Sequence, residues 1–183
     1  MTLLEVNNIE KRFYDLKALS GVSLSVKEKE LLGLIGPNGS GKTTLFNCIT
    51  GIMNPSKGKV HFKEQNITNY KPHSVFKAGI GRTFQLVQLF PEMTVLENML
   101  MALQESEGSL WSRLFMIDEE ENRRKAIEIL SFLEIIDLKN EIAHELSYGQ
   151  QKLLDLGMVL ISDPELILLD EPLAGVNPTL ANN

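Results

Sequence analysis

The period of the hydrophobic positions changes several times along this chain. Leu3-Leu4-Glu5-Val6 alternates enough to predict a strand, and Val22-Ser23-Leu24-Ser25-Val26 alternates cleanly. Leu31-Leu32-Gly33-Leu34-Ile35 is apolar on both faces, the pattern of a central strand in a buried sheet. A glycine-rich turn follows, and residues 43–50 read as a helix stopped by Gly51. Lys59-Val60-His61-Phe62 predicts an edge strand.

The middle of the chain has a different character. Residues 95–103 carry a helical pattern, and Gly108-Ser109 marks a loop. A charged stretch, 118–125, leads into Ile127, Leu130, Leu133 and Ile136, which recur every third position and predict one apolar helix face. Ser147 suits the N-cap of a helix running to about Ser162. Leu166-Ile167-Leu168-Leu169 is a second strand apolar on both faces. Together these elements predict a small helical lobe inserted into an α/β core whose sheet is mainly parallel.

Composition narrows the picture without deciding it. With 183 residues, 43% hydrophobic and 23% charged, the chain is long enough for one domain with a substantial core. A formal net charge of -6 argues against a nucleic-acid-binding surface but not against a small anion held by backbone dipoles. The single cysteine, Cys48, excludes an internal disulfide and reads as a small buried hydrophobe rather than a reactive thiol. No signal peptide is apparent in the opening residues, and no apolar run approaches the roughly 20 residues that cross a bilayer. The expectation is no direct membrane insertion, with any link to a membrane made through another protein.

The strongest chemical signal is Gly36-Pro37-Asn38-Gly39-Ser40-Gly41-Lys42-Thr43, a full G-x-x-x-x-G-K-[ST] phosphate loop. Glycines permit backbone angles that turn several N–H groups into one concavity, and the helix that follows adds its positive end. Lys42 supplies a cation for the outer phosphates, and the Thr43 hydroxyl is suited to Mg²⁺. Thr44, next in line, joins the candidate ATP-binding residues. The alternative is a glycine-rich turn that binds nothing.

The second signal is Asp170-Glu171 at the end of an apolar strand, where ligands sit in open α/β sheets. Asp170 would hold Mg²⁺ through water, and Glu171 would orient and polarise an attacking water as general base. A solvated acidic turn before Pro172 is the alternative.

With these motifs in place, the chain resembles the nucleotide-binding subunits of ABC transporters. The segment that carries the resemblance is Leu146-Ser147-Tyr148-Gly149-Gln150-Gln151, similar to the family signature sequence. The resemblance implies that Ser147 and Gly149 lie against the γ-phosphate of ATP bound to an opposite subunit in a head-to-tail dimer, with Gln150 also among the ATP-binding residues. Standing alone, this segment would read as an ordinary Ser-capped helix. The resemblance also implies that Gln85 senses Mg²⁺ and water and couples to membrane subunits, acting beside Glu171 and Lys42. It makes Phe13 the aromatic that stacks on adenine, with Tyr14 or a core-packing role for Phe13 as alternatives. Ala174-Gly175-Val176-Asn177-Pro178 resembles the loop that crosses the dimer axis.

The implied fold is an α/β P-loop NTPase core with a mainly parallel sheet, an N-terminal antiparallel β portion and an inserted α-helical lobe. It is expected as one ATPase domain, 1–183, with residues 1–92 and 147–183 as nucleotide-binding core and 93–146 as lobe. Phe46-Asn47-Cys48-Ile49-Thr50-Gly51, Arg82-Thr83-Phe84-Gln85 and Thr94-Val95-Leu96-Glu97-Asn98 look like importers of branched-chain amino acids, and amide importers share the pattern. Implied partners are ATP, a second nucleotide-binding subunit in a homo- or heterodimer, and transmembrane permease subunits at the cytoplasmic face of the cell membrane. A switch histidine of the family has no counterpart, because His61, His73 and His144 all precede the acidic strand. The expectation is a chain lacking the C-terminal part of the core. Two other readings stay open: a nucleotide-binding fragment without turnover, and an ABC-type ATPase outside transport.

Overall fold

A computed structural model describes residues 1–83, 87–106 and 119–170, with nothing described of the side chains at 104–106 and 119. They fall into two compact units, Met1–Ile80 and Gly81–Asn183.

The first unit is built on β1 (Thr2–Phe13) and β2 (Leu16–Lys27), an antiparallel pair interrupted by bulges. The sheet order is β2-β1-β3-β4, with β3 (Lys57–Phe62) antiparallel to β1 and β4 (Gln65–Asn66) only two residues long. The expected edge strand is therefore β3, bordered by β1 along one side and by a minimal β4 on the other. Leu4, Val6, Ile9, Val60 and Phe62 bury one face of this sheet. Helix α1 (Lys42–Ile49) buries Leu45, Cys48 and Ile49 and touches both β1 and β2. Cys48 is a core residue, as its sequence context suggested, and burial pushes its thiol pKa up against a smaller opposing field from Lys11. After α1 the chain turns at Gly51, at φ 74, where an added Cβ would lie 2.0 Å from the Tyr70 carbonyl oxygen. A short helix, α2 (Pro72–Lys77), completes the unit and buries Val75.

One expected element is not there. Residues 31–35 form no strand, and Leu31 and Ile35 are 96% and 95% exposed. A strand apolar on both faces is held by ladder partners at both edges and by cover above and below. Among the described residues nothing pairs with this segment.

Strand β5 (Ile80–Arg82) pairs with β6 (Leu166–Leu168) in a two-stranded parallel sheet. The helical part contains α3 (Val95–Ser106), α4 (Glu119–Phe132) and α5 (Tyr148–Leu160) around a core of Val95, Met99, Ala126, Leu130, Leu154 and Ile161. Gly157 lets these helices close, because a Cβ there would meet the Met99 sulfur at 3.0 Å and Leu133 Cδ1 at 3.1 Å. The apolar face expected from Ile127 to Ile136 is shorter than its spacing suggested. Helix α4 stops at Phe132, Glu134 takes φ 58, and Ile136 begins a separate 3-10 turn, Ile136–Leu138. The buried residues of α4 are Ala126 and Leu130, four apart, as a 3.6-residue period requires.

Helix α3 opens with a reciprocal cap. The Thr94 amide and hydroxyl donate to Glu97 Oε2 at 2.7 and 2.8 Å, and the Glu97 amide donates to Thr94 Oγ1 at 3.2 Å. Asn98, fully buried, accepts from the Phe90 amide and donates to the Phe90, Met93 and Thr94 carbonyls. The segment before α3 is thereby tied to the helix it precedes.

Two outcomes test this packing. Gly51→Ala adds a side chain at positive φ against a backbone carbonyl, and urea denaturation should show a loss of roughly 2 kcal/mol or more. The Thr94 donors hold the Glu97 carboxyl below its usual value. A depressed folded pKa adds stability above the unfolded value that disappears as pH falls through the folded one. Glu97→Gln should accordingly reduce the drop in thermal midpoint between neutral pH and pH about 3, measured by circular dichroism.

Candidate nucleotide-binding site

Loop 36–43 leaves its donors available. The Ser40 amide donates to the Pro37 carbonyl at 3.2 Å and the Leu45 amide to the Gly41 carbonyl at 2.8 Å. Among the described residues, the amides of Gly39, Gly41, Lys42, Thr43 and Thr44 meet no protein acceptor. Helix α1 has no side-chain cap and no acidic residue in its first turn. Its positive end and its unmet N–H groups are left for an outside acceptor.

Glycines make this shape possible. Gly39 and Gly41 sit at φ 80 and 95, and a Cβ on Gly36 would meet Ser40 Oγ at 2.8 Å. Gly41 also packs against β2, where a side chain would strike the Ala18 carbonyl oxygen at 2.8 Å and Leu19 Cδ2 at 2.9 Å. The loop is thus fixed to the sheet at its helical end. Lys42 Nζ spans the loop and donates to the Gly36 and Pro37 carbonyls at 2.7 and 3.0 Å. Asn38 and Thr43 are exposed, and Thr44 is half-buried. This donor set of amides and one ammonium fits polyphosphate oxygens. The Thr43 hydroxyl, at the start of α1, is a hard oxygen donor of the kind that suits Mg²⁺.

Phe13 ends β1, 38% exposed, while Tyr14 projects fully into solvent in the hairpin turn. Register pairs Phe13 with Leu16 and Lys11 with Leu19, the residue that touches Gly41. The aromatic therefore stands on the strand pair that carries the loop.

In the second unit Ser147 caps α5. Its amide and hydroxyl donate to Gln150 Oε1, both at 2.9 Å, and its oxygen accepts from the Gln150 amide at 3.4 Å. Gln150 is thus the residue that orients the Ser147 hydroxyl. Lys152, buried at 7%, lies over the Tyr148 ring at 5.7 Å from its centroid. The Gly149 amide has no protein acceptor among the described residues.

Asp170 follows β6 and is buried, with its Oδ2 accepting from Arg82 Nη2 at 3.0 Å. The Thr83 amide donates to the Leu168 carbonyl, so this ion pair closes the end of the β5–β6 ladder. The sequence reading gave Arg82 no role of its own. The signal was available: an arginine inside a short apolar strand needs a carboxylate, and Asp170 ends the partner strand. Gln85, Glu171 and residues 174–178 lie outside the described residues, as do Trp111, Leu114 and Phe115. No group of three or more His, Cys, Asp or Glu side chains among the described residues forms a metal cluster.

Comparison with known proteins adds the decisive observation. The ABC transporter family pattern matches residues 19–174. This chain belongs to the ABC transporter family. It is an ATP-binding cassette. A probable branched-chain amino acid transport ATP-binding protein of Methanocaldococcus jannaschii is 45% identical over 187 aligned positions, covering 100% of this chain and 73% of that protein. The high-affinity branched-chain amino acid transport ATP-binding protein of Escherichia coli is 38% identical, covering 96% of this chain and 71% of its own length. The ADP conformation of an ATP-binding cassette of an ABC transporter superposes with a TM-score of 0.85 at 45% identity, covering 100% of this chain and 73% of the other. The dimeric structure of a bacterial ABC transporter cassette gives 0.84 at 28% identity, covering 98% and 78%.

The family bears out the expected α/β fold of a P-loop NTPase cassette. Among the described residues no helix is long and apolar enough to cross a membrane.

Breaking the buried pair should be costly. Arg82→Met strands the Asp170 carboxylate, and chemical denaturation should register a loss of about 3–5 kcal/mol. Adding Asp170→Leu to Arg82→Met should recover much of that loss, because neither charge then stays buried alone.

Proposed function

We propose that this chain is the energy-coupling ATPase subunit of an importer, with branched-chain amino acids as the solute class. The solute assignment is carried by the printed activity of the relatives at 45% and 38% identity. The nucleotide reading is carried by one observation: a glycine turn with unmet amides opening an uncapped helix, with Lys42 across it.

In this reading residues 36–44 bind the phosphates through backbone N–H groups, and Lys42 leaves the Gly36 and Pro37 carbonyls for phosphate oxygens. Phe13 carries the adenine. Thr43, Gln85 and Asp170 hold Mg²⁺, which when bound supplies charge neutralisation between the outer phosphates. Glu171 orients the attacking water and accepts its proton. Ser147, Gly149 and Gln150 serve the nucleotide of a second subunit, their helix N-terminus favouring the anion. Ser147 must then turn its hydroxyl hydrogen from Gln150 Oε1 toward phosphate.

Catalysis on this scheme is positioning and charge balance more than covalent chemistry. Two cassettes close on ATP and separate after hydrolysis, and that motion drives permease subunits. Residues 93–146 form the lobe beside which the permease docks, reached through Gln85. The chain sits peripherally on the cytoplasmic face of the cell membrane through those subunits.

Isothermal titration and steady-state phosphate release test the assignment together. Lys42→Ala should lose most nucleotide affinity, on the order of tenfold or more. Glu171→Gln should bind ATP with the parental affinity and lose turnover by about 10²-fold or more. Parental turnover in Glu171→Gln would remove that residue as the base.

A further inference from the structure

The end of β1 carries a contact that the nucleotide scheme does not use. Lys11 Nζ lies 5.2 Å from the centroid of the Phe13 ring. The same ammonium donates to the Asn54 carbonyl at 2.7 Å. The segment that supplies Asn54 is itself tied to the strand. The Ser56 amide donates to the Glu10 carbonyl at 2.7 Å, and the Arg12 amide donates to Ser56 Oγ at 3.1 Å. Lys11 is therefore held by a backbone carbonyl fixed to its own strand, with its charge over an aromatic ring. On the neighbouring strand its register partner is Leu19, which touches Gly41 of the phosphate loop.

The physical consequence follows from ring electrostatics. The face of a phenyl ring carries negative quadrupolar density, so two aromatic faces repel unless offset. A cation over one face withdraws that density and leaves the opposite face better suited to an electron-rich base. Pinning also removes rotamer freedom from the ring before a base arrives.

We propose that Lys11 is a positioning residue for the base platform: held by the Asn54 carbonyl, it fixes and polarises the Phe13 ring for stacking of a purine nucleotide. This rests on the reading of Phe13 as the adenine platform. It assigns Lys11 to recognition of the base and not of the phosphates.

Calorimetric affinities for ATP and for inorganic tripolyphosphate, measured on the intact chain, separate these roles. Lys11→Met keeps the unbranched stem and removes the charge. It should weaken ATP about three- to fivefold and leave tripolyphosphate unchanged, with Lys11→Arg restoring most of the loss. Equal weakening of both ligands would overturn the proposal, because Lys11 would then be acting on phosphate. Phe13→Leu distinguishes failure of the proposal from failure of the reading beneath it. If Phe13→Leu weakens ATP while Lys11→Met does not, Lys11 has no part in the platform. If neither variant changes ATP affinity, the platform itself is elsewhere and the proposal falls with it. Should Lys11→Met not fold, an Arg variant that binds both ligands like the parent supports the role, and one that loses ATP and tripolyphosphate alike overturns it.

Discussion

Backbone amides have to be satisfied, and the starts of α1, α3 and α5 meet that constraint in different ways. Helices α3 and α5 each open with a reciprocal cap, Thr94 with Glu97 and Ser147 with Gln150. The Glu97 and Gln150 amides are thereby met within the chain, as at an ordinary capped start, while the Gly149 amide of α5 finds no acceptor among the described residues. Helix α1 opens on Gly41 with no side-chain cap, and among the described residues the amides of Gly41, Lys42, Thr43 and Thr44 meet no protein acceptor. A helix end left open is a standing demand for an acceptor, met by water or by an anion. Much of the first unit serves to make that open end rigid. Gly41 sits directly on β2, the inner face of α1 is buried, and Gly51 turns the chain in a space that a methyl group would fill.

The second unit addresses a different cost, that of a buried charge. Asp170 is the carboxylate expected to work with a metal, yet it lies at 5% side-chain exposure, where an unpaired charge would be expensive. Arg82 meets that cost from the paired strand. The same pairing ties the end of β6 to the chain leading out of β5. The two segments expected to sense the metal are therefore joined by an ion pair as well as by a ladder hydrogen bond. Gly81 lets α5 pack closely on β5, since a Cβ there would lie 2.6 Å from Val159 Cγ1.

Legibility in the sequence followed the range of the interaction. The phosphate loop, the Ser147 cap, β2 and α3 are set by residues within a few positions of each other, and each appears where local pattern put it. The segment 31–35 has the composition of a central strand, but its state depends on partners distant in the chain, and composition cannot say whether they are met. The Ile127–Leu133 spacing ran on to Ile136 because a threefold repeat ignores where a helix ends. Glu134, at φ 58, breaks it with no glycine to announce the break. Arg82 was missed for a related reason: its partner is 88 positions away. The roles of Gln85 and Glu171 rest on motif alone.

A net charge of -6 is by itself a poor starting point for binding a polyanion. Screening limits that objection, since exposed charges farther away than about 8 Å at physiological ionic strength contribute little. What remains is the local set. In the first unit Lys42 crosses the loop and the start of α1 presents amides, while Lys11 is the cation over the Phe13 ring. No acidic side chain occupies the first turn of α1, where one would favour the helix and compete with phosphate. The acidic balance of the chain can be spent on solubility and on other surfaces, because the free energy of this site is set by dipoles and cations at contact distance.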